Sequence, residues 1–164
     1  MGTAFSVPIE AFFKRVEADR SFFNYLQLTD EEALQIAEQR AKTYLNEACS
    51  IISMELRPEV DFTDIDEENQ CFNFDLMDKE IFLLSSLMYE MYLDRDIAKI
   101  KTLSVNYTST DLRIFDPSNA RKTFITMYDF VCRKNEQLKN TSSETDRDSG
   151  AFLTIDFASY DNGG

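Results

Sequence analysis

Between residues 3 and 149 the chain contains no glycine; its four glycines are Gly2, Gly150, Gly163 and Gly164. A loop that cradles phosphate needs glycine for positive φ and for close backbone approach, so nucleotide-binding loops of the Walker or dinucleotide type are excluded. Histidine is absent as well. That removes Ser-His-Asp and Cys-His catalysis and His-ligated metal sites. The glycine-free stretch is dominated by segments in which apolar residues recur at helical spacing.

Four such segments stand out. Ser6-Val7-Pro8 starts a helix with Pro in the first turn, and Ile9, Phe12, Phe13 and Val16 follow on one face. "SFFNYLQL" (21–28) reads as an aromatic bend. Thr29-Asp30-Glu31-Glu32 is a capping box. The helix it opens carries Leu34, Ala37, Ala41, Leu45, Ala48, Ile52 and Leu56 in one stripe and ends before Pro58. Asp75 is placed to cap a third helix over about 76–100. Its apolar stretch from Ile81 to Leu93 has few polar sides, which puts it at the centre of a bundle. Asp116-Pro117 opens a fourth helix running to Lys139, with Ala120, Phe124, Met127, Tyr128 and Val131 inward. Residues 101–116 alternate loosely and suit an extended, β-like connection. The predicted fold is therefore mainly α: a small helical bundle with a central apolar helix, a minor β-like connection and an extended C-terminal arm ending in a strand.

The C-terminus, "DRDSGAFLTIDFASYDNGG", carries that strand beyond a polar spacer. The expected division is a bundle over 1–139, a flexible polar spacer over 140–150 and a docking arm over 151–164, so that a chain cut after Asn140 should keep its fold. Along the strand Leu153, Ile155 and Phe157 share one face, and Phe152, Thr154, Asp156 and Ala158 share the other. A lone strand needs a partner. It either folds back on residues 101–116 or adds to a neighbour's sheet, in which case Phe152, Leu153, Ile155 and Phe157 are the docking residues.

Charge narrows the partners. With 17 basic against 30 acidic residues the formal net charge is −13, which argues against a grip on DNA phosphates and against anionic membrane. No signal peptide is expected from the N-terminal residues, and the run at 81–93 is shorter than the roughly 20 residues of a spanning helix. The three cysteines, Cys49, Cys71 and Cys132, read as free, buried thiols in a reducing compartment. Asp61, Asp64, Asp66 and Glu68 resemble a calcium loop only superficially, because the glycine and the closing glutamate of that motif are missing. No cofactor, metal site or catalytic residue is expected.

The order of elements resembles the head–tail connector, adaptor or head-completion proteins of tailed bacteriophages. The resemblance covers residues 29–139: the central helix ending in "LMYEMYLDRD" (87–96), with Tyr92-Leu-Asp-Arg95 as its closing cluster, a short link, and "FDPSNARKTF" (115–124) opening a further helix. It implies a non-enzymatic virion protein assembled in the host cytoplasm. Such a protein forms a ring, commonly of twelve copies, that docks on the portal protein, receives the next neck or tail protein and continues the DNA channel without binding DNA specifically. Asp61, Asp64, Asp66, Glu67 and Glu68 are then the candidate channel lining, keeping phosphates from sticking. Two other readings stand beside it. One is a cytosolic helical adaptor or regulatory module, dimeric, with a groove at Met88, Met91 and Tyr92. The other is an enzyme using the acidic loop with a divalent cation.

Overall fold

The computed structural model describes residues 2–17, 29–56, 58–106 and 117–153, the side chains of 96–106 and 117–121 excepted. Among these lie four helices, α1 (Ser6–Val16), α2 (Asp30–Glu55), α3 (Asp78–Asn106) and α4 (Pro117–Glu144), and two short strands, β1 (Ile65–Asp66) and β2 (Cys71–Phe72). The chain is mainly helical, as its periodicity predicts.

Helix α3 packs against each of the other three helices. Leu83, Leu84, Leu87, Met88, Tyr92 and Leu93 are all buried on it, which is why its stretch from Ile81 to Leu93 has so few polar positions. Helix α2 begins at the expected capping box: Glu32 N–H donates to Thr29 Oγ1 (3.3 Å) and Thr29 N–H donates to Glu32 Oε2 (2.9 Å). Its inner face holds Ala37, Ala41 and Ala48 with no exposed surface, so neighbouring helices approach closely. Leu34 departs from the predicted stripe and is exposed; Ala33 occupies the inner face at the first turn instead. On α1, Phe12 and Val16 are buried, and the Phe12 ring meets Tyr44 at 5.9 Å and Tyr92 at 6.4 Å edge-on.

Four features differ from the sequence-based expectation. Helix α3 continues through Asn106, so residues 101–106 are helical rather than extended, while 107–116, like the bend at 21–28, lie outside the described residues. Among the described residues a two-stranded sheet forms in the stretch 58–75, where β1 and β2 pair antiparallel. Asp75 stands three residues before the first residue of α3, too far upstream to cap it; there Glu80 reaches back instead, its Oε2 accepting from Met77 N–H (2.8 Å). Helix α4 also passes the predicted stop at Lys139 and runs to Glu144.

The N-terminal residues extend the small sheet. Ala4 bridges Cys71 antiparallel, and Thr3 O accepts from Phe72 N–H (2.9 Å) while Thr3 N–H donates to Phe74 O (3.1 Å). At Gly2 the two backbones run so close that a Cβ would overlap the Phe72 carbonyl. Beneath the hairpin Phe5, Phe72, Phe74 and Phe62 form a string of edge-on rings spaced 5.2–5.5 Å apart.

Candidate functional site

The C-terminal segment is where a docking function was expected, and the structure shows how its root is built. After α4 the chain turns back on itself, and Thr145 and Phe152 form an antiparallel bridge. Asp146 N–H donates to Ala151 O (2.8 Å) and Leu153 N–H to Glu144 O (2.7 Å). The Asp146 carboxylate accepts from Ser149 N–H (2.7 Å) and Ser149 Oγ (2.6 Å), which holds its pKa below the usual carboxylate range. Gly150 closes the turn at φ +66°, a conformation that disfavours any side chain. The first described residues of the tail thus pair with the end of α4, while residues 154–164 lie outside the described residues.

One side chain fastens this turn to the bundle. Arg147 Nε donates to Glu80 Oε1 (2.7 Å) and Nη2 to Glu80 Oε2 (3.1 Å), a bidentate pair on a carboxylate that is buried. The same Nη2 reaches Asp75 O (2.7 Å), and the guanidinium sits 5.9 Å from the centre of the Phe74 ring. Arg147 N–H donates to Glu59 Oε1 (3.0 Å), and Lys79 Nζ donates to Asp146 O (3.1 Å). One turn before the end of α4, Lys139 pairs with Glu55 at 2.7 Å. The stretch expected as a free spacer is therefore helix followed by a clasped turn. Beyond the clasp Phe152 and Leu153 are 70% and 59% exposed. Ile155 and Phe157 lie outside the described residues.

The candidate channel acids stand on the hairpin. Asp61 accepts from Thr63 N–H (2.8 Å) and Thr63 Oγ1 (2.6 Å), and Asp66 accepts from Asn69 N–H (2.9 Å) and Asn69 Nδ2 (2.7 Å). These bonds hold both carboxyls below their usual pKa, that of Asp61 chiefly through the Thr63 hydroxyl and that of Asp66 chiefly through the Asn69 N–H. Asp64 accepts from Asn73 Nδ2 (2.6 Å). Three of the five acids thus shape the hairpin turns, while Glu67 and Glu68 are exposed at its tip. Among the described residues no group of three or more acids or cysteines is placed to hold a metal ion.

Helices α3 and α4 are joined by a buried polar pin that sequence reasoning missed. Asn135 is fully buried; its Nδ2 donates to Ser86 O (3.0 Å) and Glu90 Oε2 (2.7 Å), and its Oδ1 accepts from Ser86 Oγ (2.6 Å). Position 135 continues the stripe of Tyr128 and Val131 at helical spacing, and that spacing was the available signal. Beside the pin, the Tyr128 hydroxyl is hydrogen-bonded to Cys132, which raises the tyrosine's pKa. Burial pushes the Cys132 thiol up and carries Cys49 to about 12. Neither is an activated nucleophile.

Met88 and Tyr92 are buried in the core, so the groove expected from Met88, Met91 and Tyr92 does not form; Met91 alone reaches the surface. No helix among the described residues is long and apolar enough to cross a membrane. No family model, curated protein or solved structure matches this chain.

Proposed function

We propose that this chain is a structural protein of the neck of a tailed bacteriophage, a ring-forming connector between the portal and the next neck or tail component. The observation that carries the proposal is the built root of the C-terminal arm. A docking arm transmits position only if its base is fixed. Here the base is held by the bidentate Arg147–Glu80 pair and the Thr145–Phe152 bridge. From that base the chain leaves with Phe152 and Leu153 turned to solvent. The remaining residues span at most about 40 Å when extended, enough to cross onto a neighbour and add a strand there.

Two further features agree with this reading. The bundle offers exposed apolar side chains on helix faces, Met54 on α2 and Phe130 on α4, for packing between copies. The acids Glu67 and Glu68 at the hairpin tip, in a chain of net charge −13, suit a wall past which DNA slides. Assembly would take place in the host cytoplasm, with the virion neck as the final location.

Native mass spectrometry of the full-length chain across a concentration series tests the proposal. A discrete species of about a dozen copies is expected of a closed ring. A dimer at every concentration would favour the regulatory-module reading instead, and a monomer throughout would count against any ring.

A further inference from the structure

A net charge of −13 restricts how two copies of this chain can meet. At long range they repel, so a stable contact must bring unlike patches together. Two such patches lie on its surface.

The first is on α4. Val131 and Asn135 point inward, and the adjoining face presents Met127, Phe130, Arg133 and Lys134, with Phe130 66% exposed. Lys134 Nζ lies 5.5 Å from the centre of the half-exposed Phe82 ring, and the Arg15 guanidinium lies 4.6 Å from the same ring. Aromatic surface here is framed by cations. Asp129 stands at the margin, one turn before Arg133, and Glu136 turns away to Lys139.

The second patch is the outward face of α2. Met54, 75% exposed, stands with Ile51 beside Met91 of α3. This face continues into a cleft of about 600 Å³ between α2 and α4, since Glu47, Ile51 and Met91 border both. Glu47, Glu90 and Asp94 line the cleft as acids. Its two cations are already engaged, Lys139 with Glu55 and Glu136, and Arg95 with the Tyr44 hydroxyl (3.2 Å).

We propose that these patches are the two sides of one interface between successive copies: Phe130 of one copy seats on Met54 and Met91 of the next, while Arg133 and Lys134 meet Glu47 and Asp94. With each patch meeting the other on a different neighbour, the contact is heterologous and repeats head to tail, closing into a ring where the rotation between copies permits. The inference rests on the ring reading and names the surfaces that reading requires.

The experiment uses two variants of the full chain, Phe130→Asp and Met54→Asp, both at exposed positions and both checked for native helical circular dichroism. Native mass spectrometry is run on the wild type, on each variant alone and on an equimolar mixture. The wild type is expected as a discrete many-copy species and each variant alone as a monomer. The mixture should give a one-to-one pair and nothing larger, because one intact interface remains between unlike variants. A wild-type ring that survives in either variant would overturn the interface and leave the ring reading standing. A wild type that never exceeds a dimer would remove the ring reading, and the interface with it.

Discussion

Arg147 and Asn135 each do more than their exposure or position along the chain suggests. Arg147 is the counter-charge of Glu80, a carboxylate buried at the start of α3. Replacing it with alanine leaves that charge with the Met77 N–H and little else, and should cost about 2–3 kcal/mol in a urea melt, toward the lower end for an interior ion pair because Arg147 is partly open to water. The double change Arg147→Met with Glu80→Leu should recover much of that loss, since it removes the stranded charge. Asn135→Ala would orphan the Ser86 hydroxyl and one bond of Glu90, and about 2 kcal/mol should be lost in the same assay. Cys49, with its thiol carried to about 12 by burial, should resist alkylation at pH 8 in the native protein and react once it is unfolded, as read by mass spectrometry of peptides.

At the level of elements, the end of α4 and the hairpin are held by turns whose acids accept several hydrogen bonds. Asp61, Asp66 and Asp146 all titrate below the usual carboxylate value of 3.8 when folded. A lowered folded pKa contributes stability that is fully present above the unfolded value and is lost as pH falls through the folded one. The melting temperature should therefore lose this contribution as pH drops below about 4, and Asp146→Asn should flatten that part of the profile. The boundary of the arm follows from the same contacts. A chain cut after Asn140 loses Arg147 and the Thr145–Phe152 bridge, so it should melt lower than a chain cut after Leu153, which keeps both. Equal melting temperatures for the two truncations would show that the clasp does not contribute.

For the whole molecule the consequence is a helical bundle with its C-terminal turn fastened to it, and the assembly proposed above would depend on unlike faces of a strongly acidic chain. Salt should act on the two in opposite senses. Screening weakens the long-range repulsion between copies and also the Arg133 and Lys134 contacts with a neighbour's acids. Assembly measured by light scattering should therefore pass through an optimum in ionic strength rather than rise steadily.

The helices were legible in the chain because they answer to local spacing and local caps. The Thr29–Glu32 box, the apolar continuity from Ile81 to Leu93 and Pro117 at a first helical turn each state a helix within a few residues. The sequence by itself therefore determined the helical class and the central helix. The tertiary structure alone decided which polar residues hold the parts together. Glu80 meets Arg147 across 67 positions and Ser86 meets Asn135 across 49, separations over which no local rule operates. The same non-local bonding turned a polar run that reads as a free tether into a clasped turn, because a buried carboxylate needed a cation and the fold brought Arg147 to it.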